Sequence, residues 1–244
     1  MIPKIIHYCW FGRNPLPESA IKCIASWRKF FPDYEIIEWN EDNFDVNGIA
    51  YTTQAYAAKK YAFVSDYARF KILYEHGGLY FDTDVEVIKS FDDILSRGAF
   101  MGCELTAAQS NAINPGLGLG VAPGLGLYAE LLEKYSTLQF IREDGSLNLT
   151  TIVTYTTELL VSHGLKATND IQTVADITIY PKEYFNPLND NTGRLEITSN
   201  THSIHWYSKT WLEVNPLRMK LSQLAHRYLG YAISKNIRKI FRIK

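Results

Sequence analysis

The chain has 244 residues, a formal net charge of −1, and 46% hydrophobic and 14% aromatic residues. Such a length supports one large domain or two small ones, burying roughly 70–75% of the unfolded surface without staples. The charge is uneven: eight of the 25 Lys/Arg and no Asp/Glu fall in residues 217–244, which leaves an acidic body unsuited to nucleic acid.

Three scattered cysteines, Cys9, Cys23 and Cys103, make no CxxC. They predict reduced thiols and a cytosolic setting. The opening MIPKIIHYCWFG is too briefly apolar for a signal peptide, and no run reaches the ~18 apolar residues of a membrane span.

KIIHYCWFG reads as a first strand ending at Gly12. A helix follows, starting at Pro17 and Glu18, with Ile21, Ile24, Trp27 and Phe31 at helical spacing; Pro32 and Asp33 stop it. YEIIEW is a second strand and NEDNFD a polar loop. This strand, helix, strand order opens a βαβ architecture. From about Thr53 to His76 the pattern is again helical, with Phe63, Tyr67, Phe70 and Tyr74 in a stripe and Asp66 and Arg69 as neighbours on one face. Gly77 and Gly78 end it.

LYFDTDVEVI reads as one strand whose far end carries Asp82 and Asp84, where open α/β sheets bind ligands. Gly116, Gly118 and Gly120 recur at period two, either to admit a close approach or to pack a strand tightly; they form no dinucleotide fingerprint. Helices are predicted from about Leu125 to Tyr135 and from Thr150 to His163. DITIYPKEYFNP is a strand and turn, and THSIHWYSKTW a strand or loop rich in His, Trp and hydroxyls. No repeat or linker interrupts the chain, so one domain over 1–212 is expected. The tail, 213–244, reads as a basic amphipathic helix, suited either to an anionic membrane surface or to packing on the body.

Three readings compete for the D-x-D pair: an idle surface turn, the opening of a haloacid-dehalogenase-type phosphatase, or a grip on a divalent cation that holds a nucleotide diphosphate. Hard cations take carboxylates plus substrate phosphates. Two acids one residue apart can bring one carboxylate to the metal and the other to ribose, sugar or a metal-bound water.

The neighbours of the pair favour the third reading. IPKIIHYCWFG, PDYEIIEWNEDNFD, KKYAFVSDYARFKILYEHGGLYFDTDVEV and IHWYSKTW together resemble glycosyltransferase family 32, the DxD sugar transferases. The resemblance covers residues 2–95 and 178–211 and is loose over 100–175, where acceptor choice is expected to lie. It implies an α/β fold of the GT-A type, a Rossmann-like mixed sheet flanked by helices, with Mn2+ or Mg2+ as cofactor. The implied activity is retaining transfer of a hexose from a UDP- or GDP-linked donor to a saccharide acceptor. That acceptor is lipid-linked in cell-surface polysaccharide pathways that work from the cytoplasmic membrane face.

By the same resemblance, Trp10 would stack on the base and Tyr80 would sit against the nucleoside. Asp66 and Arg69 would hydrogen-bond the donor sugar. Asp84 would bind metal, with Asp82 alongside. His205, Ser208 or Trp211 would supply late contacts, His205 as a candidate metal ligand. His7 and His202 are read as structural. The phosphatase and a non-catalytic carbohydrate-binding module stand as alternatives.

Overall fold

The computed structural model describes residues 1–106 and 111–208. The predicted tail and Trp211 lie outside the described residues. The chain begins with β1 (Ile5–Cys9), α1 (Glu18–Phe30) and β2 (Glu35–Trp39), as the alternation predicts. In α1 the buried side is Ala20, Cys23, Ile24 and Trp27, whereas Ile21 is 54% exposed. The inward stripe therefore runs through Cys23 rather than Ile21.

The long predicted helix is two helices, α2 (Ala50–Ala57) and α3 (Tyr61–His76). Lys59, at φ 56°, breaks them apart in a left-handed conformation that no helix accommodates. In α3 the aromatic stripe is as predicted: Phe63, Tyr67 and Phe70 are buried and Tyr74 packs at the edge of the same cluster. Gly78, at φ +97°, follows the helix where a Cβ would meet the Ile5 carbonyl oxygen at 2.7 Å.

The predicted strand LYFDTDVEVI is also two pieces. β3 (Gly78–Tyr80) belongs to the main sheet, and β4 (Val85–Val87) belongs to another. Then come α4 (Asp92–Leu95), β5 (Phe100–Gly102), a 3-10 turn at Pro115–Leu117, β6 (Leu119–Val121), α5 (Gly126–Ser136) and α6 (Ile152–Ser162). The last elements are β7 (Gln172–Val174), β8 (Ile177–Tyr180), α7 (Lys182–Phe185), β9 (Leu188–Asn189), β10 (Arg194–Leu195) and β11 (Ser203–His205).

The main sheet has seven strands in the order β2-β1-β3-β6-β5-β8-β7. The pairs β1–β2, β1–β3 and β5–β8 are parallel, while β6 runs antiparallel to both β3 and β5. Thus β1, β2, β3, β5 and β8 all point one way and deliver their carboxyl ends to one edge. Alternation along each strand feeds two layers. Ile6, Tyr8, Leu79, Phe81 and Phe100 pack with Ile24 and Trp27 of α1. Cys9, Tyr80, Met101 and Leu119 pack with α3, α5 and α6 on the other face.

The period-two glycines clear space for neighbours. A Cβ at Gly120 would overlap the Phe100 ring, and one at Gly118 would stand 2.8 Å from Phe81. His7 is structural. Its Nε2–H donates to the Gly77 carbonyl at 2.9 Å and its Nδ1 accepts the Trp39 indole N–H at 3.0 Å. His202 is fully buried, bonded to the Asn200 carbonyl and Asp93.

Candidate active site

The carboxyl edge of the sheet opens into a cleft of about 500 Å3. Trp10 and Phe11, just past β1, line it together with Tyr61, Asp66 and Arg69 of α3. Tyr80, Asp82 and Asp84 form its floor, and His205, Tyr207 and Ser208 border it from the end of β11.

Arg69 is the buried cation of this cleft, its side chain 4% exposed. It holds Asp66 at 3.0 Å and Asp82 at 3.3 Å, and donates Nε–H to the Ser65 carbonyl at 3.2 Å. Its guanidinium lies 4.9 Å from the centre of the Tyr80 ring, a cation–π arrangement. The Tyr80 hydroxyl in turn donates to Asp82 at 3.1 Å. Burial works against the Arg69 charge, but Asp82, Tyr80 and Asp66 outweigh it and hold its pKa above the ordinary value. Burial pushes the Asp66 carboxyl up to about 6, against the pull of Arg69.

Asp84 has different company. Its Oδ1 meets His205 Nε2 at 3.1 Å, and its Oδ2 accepts from the Ser208 amide at 2.8 Å and the Ser208 hydroxyl at 3.0 Å. Burial alone would raise its pKa. The His205 charge and hydrogen bond, with the two Ser208 donors, outweigh burial and bring it down to about 2. His205 moves the other way, raised by Asp84 against its own burial.

One oxygen each from Asp82 and Asp84 and one nitrogen of His205 lie within 4.8 Å of one another. The His205 Nδ1 is buried with no hydrogen-bond partner. Two carboxylates and an imidazole are a fitting donor set for a divalent cation, and the residues present suit such an ion.

Of the sequence-predicted site residues, Asp66, Arg69, Tyr80, Asp82, Asp84, His205 and Ser208 come together around one floor. Trp10 stands at one end, its indole N–H bonded to the Asn14 carbonyl at 2.6 Å. The acids do not end a continuous strand: they occupy the link between β3 and β4. Sequence reasoning missed Glu104, Asn114, Asp190 and Tyr207, which also line the cleft. Tyr207 lies inside the IHWYSKTW motif, and only its flanks drew notice.

The family model described as "glycosyltransferase sugar-binding region containing DXD motif" matches residues 17–101. The chain is 32% identical over 104 residues to inositol phosphoceramide mannosyltransferase 3 of Schizosaccharomyces pombe, 41% of this chain and 29% of that protein. An uncharacterised glycosyltransferase of Acanthamoeba polyphaga mimivirus is 29% identical over 197 residues, 78% of this chain and 69% of its own length. The chain thus spans about 29% of the length of the yeast relative it matches.

The likeness in fold extends beyond the residues that the family model matches. The crystal structure of a glycosyltransferase involved in glycosylation of the major capsid of PBCV-1 aligns over 91% of this chain and 99% of that one. The TM-score is 0.50 at 10% identity. The architecture is the mixed α/β GT-A type expected from the sequence.

Proposed function

We propose that this chain is a metal-dependent, retaining glycosyltransferase that moves a hexose from a UDP- or GDP-linked donor to a saccharide acceptor. One observation carries the reading. The Asp82, Asp84 and His205 donor atoms converge within 4.8 Å, beside the buried Asp66–Arg69 pair, at the sheet edge where α/β folds take their ligands. The sugar-binding region over the D-x-D pair supports transfer rather than phosphatase chemistry.

Asp82, Asp84 and His205 would hold Mn2+ or Mg2+, which when bound would supply positive charge to the diphosphate leaving group. The protein's own groups do the rest. Trp10 stacks on the base. Asp66 and Arg69 orient the sugar hydroxyls through a buried ion pair that loses little order on binding. Ser208, bonded twice to Asp84, ties the segment after β11 over the diphosphate. No protein nucleophile is required: the anomeric bond to the phosphate oxygen loosens, and the acceptor hydroxyl enters on the same face. Its proton passes to the departing phosphate oxygen.

A lipid-linked acceptor at the cytoplasmic membrane face completes the proposal. The basic composition of 217–244 supports it, as does a relative named for inositol phosphoceramide. Calorimetric titration with UDP- and GDP-sugars, with and without Mn2+ or Mg2+, tests the whole. The wild type binds one donor class only with metal, and Asp84→Asn loses that binding while keeping its fold. Normal turnover by Asp84→Asn ends the proposal.

A further inference from the structure

At the opposite end of the cleft from Trp10 stands a polar group that the donor chemistry leaves unused. Glu104 lies two residues beyond β5, whose carboxyl end shares an edge with those of β1 and β3. Three strand spacings separate β1 from β5, and two separate β3 from β5. At about 4.8 Å per spacing, the end of β5 lies roughly 14 Å along the edge from the end of β1 and roughly 10 Å from the end of β3.

Its carboxylate is partly exposed and faces the cleft. The Tyr207 hydroxyl donates to its Oε1 at 3.1 Å. The fully buried Asn186 clamps both: its Nδ2 donates to the Tyr207 hydroxyl at 2.6 Å and to the Glu104 carbonyl at 3.1 Å. Asn186 Oδ1 remains without a partner. Tyr207 itself is held at φ 51°, a left-handed conformation that costs a bulky residue energy and persists only where its surroundings enforce it. Asp190 lines the same end. This is an oriented acceptor of hydrogen bonds, backed by a fixed hydroxyl, in a concave wall. It suits a ligand rich in O–H donors and repels a phosphate.

We propose that Glu104, with Tyr207, is the acceptor-sugar subsite: a carboxylate that takes hydroxyl hydrogen bonds from a neutral pyranose and turns one hydroxyl toward the donor's anomeric carbon. This rests on the glycosyl-transfer reading and extends it to the acceptor side. It places acceptor choice partly in the 100–175 segment, where family resemblance is loose.

The test uses the full chain with Mn2+, a panel of UDP-glucose, UDP-galactose, UDP-N-acetylglucosamine and GDP-mannose, and methyl α-glucoside, α-galactoside and α-mannoside as acceptor probes. Disaccharide product is followed by mass spectrometry and free donor sugar by hydrolysis. Glu104→Gln keeps the acceptor oxygen for Tyr207 and loses the charge. The ratio of transfer to hydrolysis falls about tenfold, while nucleotide affinity stays within about twofold. Glu104→Ala lowers the ratio further, by about a hundredfold, in keeping with the greater strength of hydrogen bonds to charged groups.

An unchanged ratio in both variants overturns the proposal. Equal loss of hydrolysis and transfer also overturns it, because it puts Glu104 at the reacting carbon. A wild type that hydrolyses donor but glycosylates none of the three probes refutes the pyranose subsite while sparing the functional reading. A wild type that binds no nucleotide-sugar refutes the functional reading itself.

Discussion

Gly116 tests the D-x-D geometry without touching either acid. Its φ lies outside the left-handed region, so alanine suits the backbone. A Cβ there would nevertheless overlap Asp82 Oδ2 and stand 3.0 Å from both Asp82 Cγ and Asn114 Oδ1. The two backbones are tied together, since the Asp82 amide donates to the Gly116 carbonyl at 3.2 Å. The carboxylate is the movable part and must turn away. It then gives up Arg69 at 3.3 Å and Tyr80 at 3.1 Å.

Arg69 keeps its 3.0 Å pair with Asp66, so no buried charge is stranded. The Asp82 side chain is 30% exposed, so water makes good part of the loss. A hydrogen bond to a charged group is worth about 1.5–3 kcal/mol. Discounted for that screening, Gly116→Ala costs ~1–2 kcal/mol of folding stability. The expected effect on the site is larger. One of the three side chains proposed to hold the metal is displaced, and the loss of Mn2+ affinity should exceed the 10–100-fold typical of disturbing an outer-shell partner. Calorimetric Mn2+ titration in the presence of UDP or GDP, alongside denaturant unfolding, separates the two effects. Wild-type Mn2+ affinity in a folded Gly116→Ala protein would refute the assignment of Asp82 to the metal floor.

Arg69→Ala strands two carboxylates in and beside the core and lowers unfolding free energy by about 3–5 kcal/mol; a loss under about 1 kcal/mol in urea unfolding contradicts the pairing described. If Trp10 stacks on the base, the nucleotide with Mn2+ quenches tryptophan fluorescence in the wild type, and Trp10→Phe removes that quench. An undiminished quench in the variant moves the base elsewhere. His7 makes stability pH-dependent. Burial, chiefly, lowers its pKa from 6.5 to about 4, so the unfolded chain takes up a proton in that window while the folded ring does not. Stability therefore falls by up to ~3 kcal/mol as pH drops from 6.5 to 4. His7→Gln flattens that part of the wild-type curve, and identical slopes would show that the ring does not titrate as argued.

Where local pattern and packing agree, the sequence announces the structure. The stripe of Phe63, Tyr67 and Phe70 is buried as its spacing requires, and Gly77–Gly78 ends α3. Misreadings occur where a tertiary contact overrides local pattern. Ile21 satisfies helical spacing yet faces outward, because α1 rests on β4 through Trp27, whose indole N–H donates to the Val85 carbonyl at 2.7 Å. β5 has three residues, Phe100–Gly102, too few for periodicity to register, and its identity comes from the strands beside it. Glu104 carries no motif, and nothing in IHWYSKTW marks Tyr207 as its partner. They meet through Asn186, whose bond to the Glu104 carbonyl spans 82 residues of chain, and no spacing rule reaches that far.

The D-x-D pair shows why the residues of the cleft floor were legible while their geometry was not. Read as one strand, LYFDTDVEVI would put Asp82 and Asp84 on the same face, since side chains alternate with period two. In the structure each acid answers to a different sheet. Asp82 leaves β3 and is anchored by Arg69 and Tyr80. Asp84 precedes β4, which pairs antiparallel with β11 in the register His205↔Val85. That register seats His205 beside Asp84 and lets Ser208, 124 residues away in sequence, donate to it twice. The spacing of one residue is therefore a hinge between two frameworks. The first is fixed by α3 and the second by the late segment. Opposing the late strand is enough to disturb Asp84 and spare Asp82: Ile204→Pro removes an amide from β11 and loosens His205 and Ser208, whereas the Arg69–Asp82 contact persists. That variant also loses stability, because Ile204 is buried and paired with Glu86; its folded fraction is expected to bind Mn2+ more weakly in calorimetric titration, and wild-type affinity there would refute the dependence of the proposed metal site on the late strand.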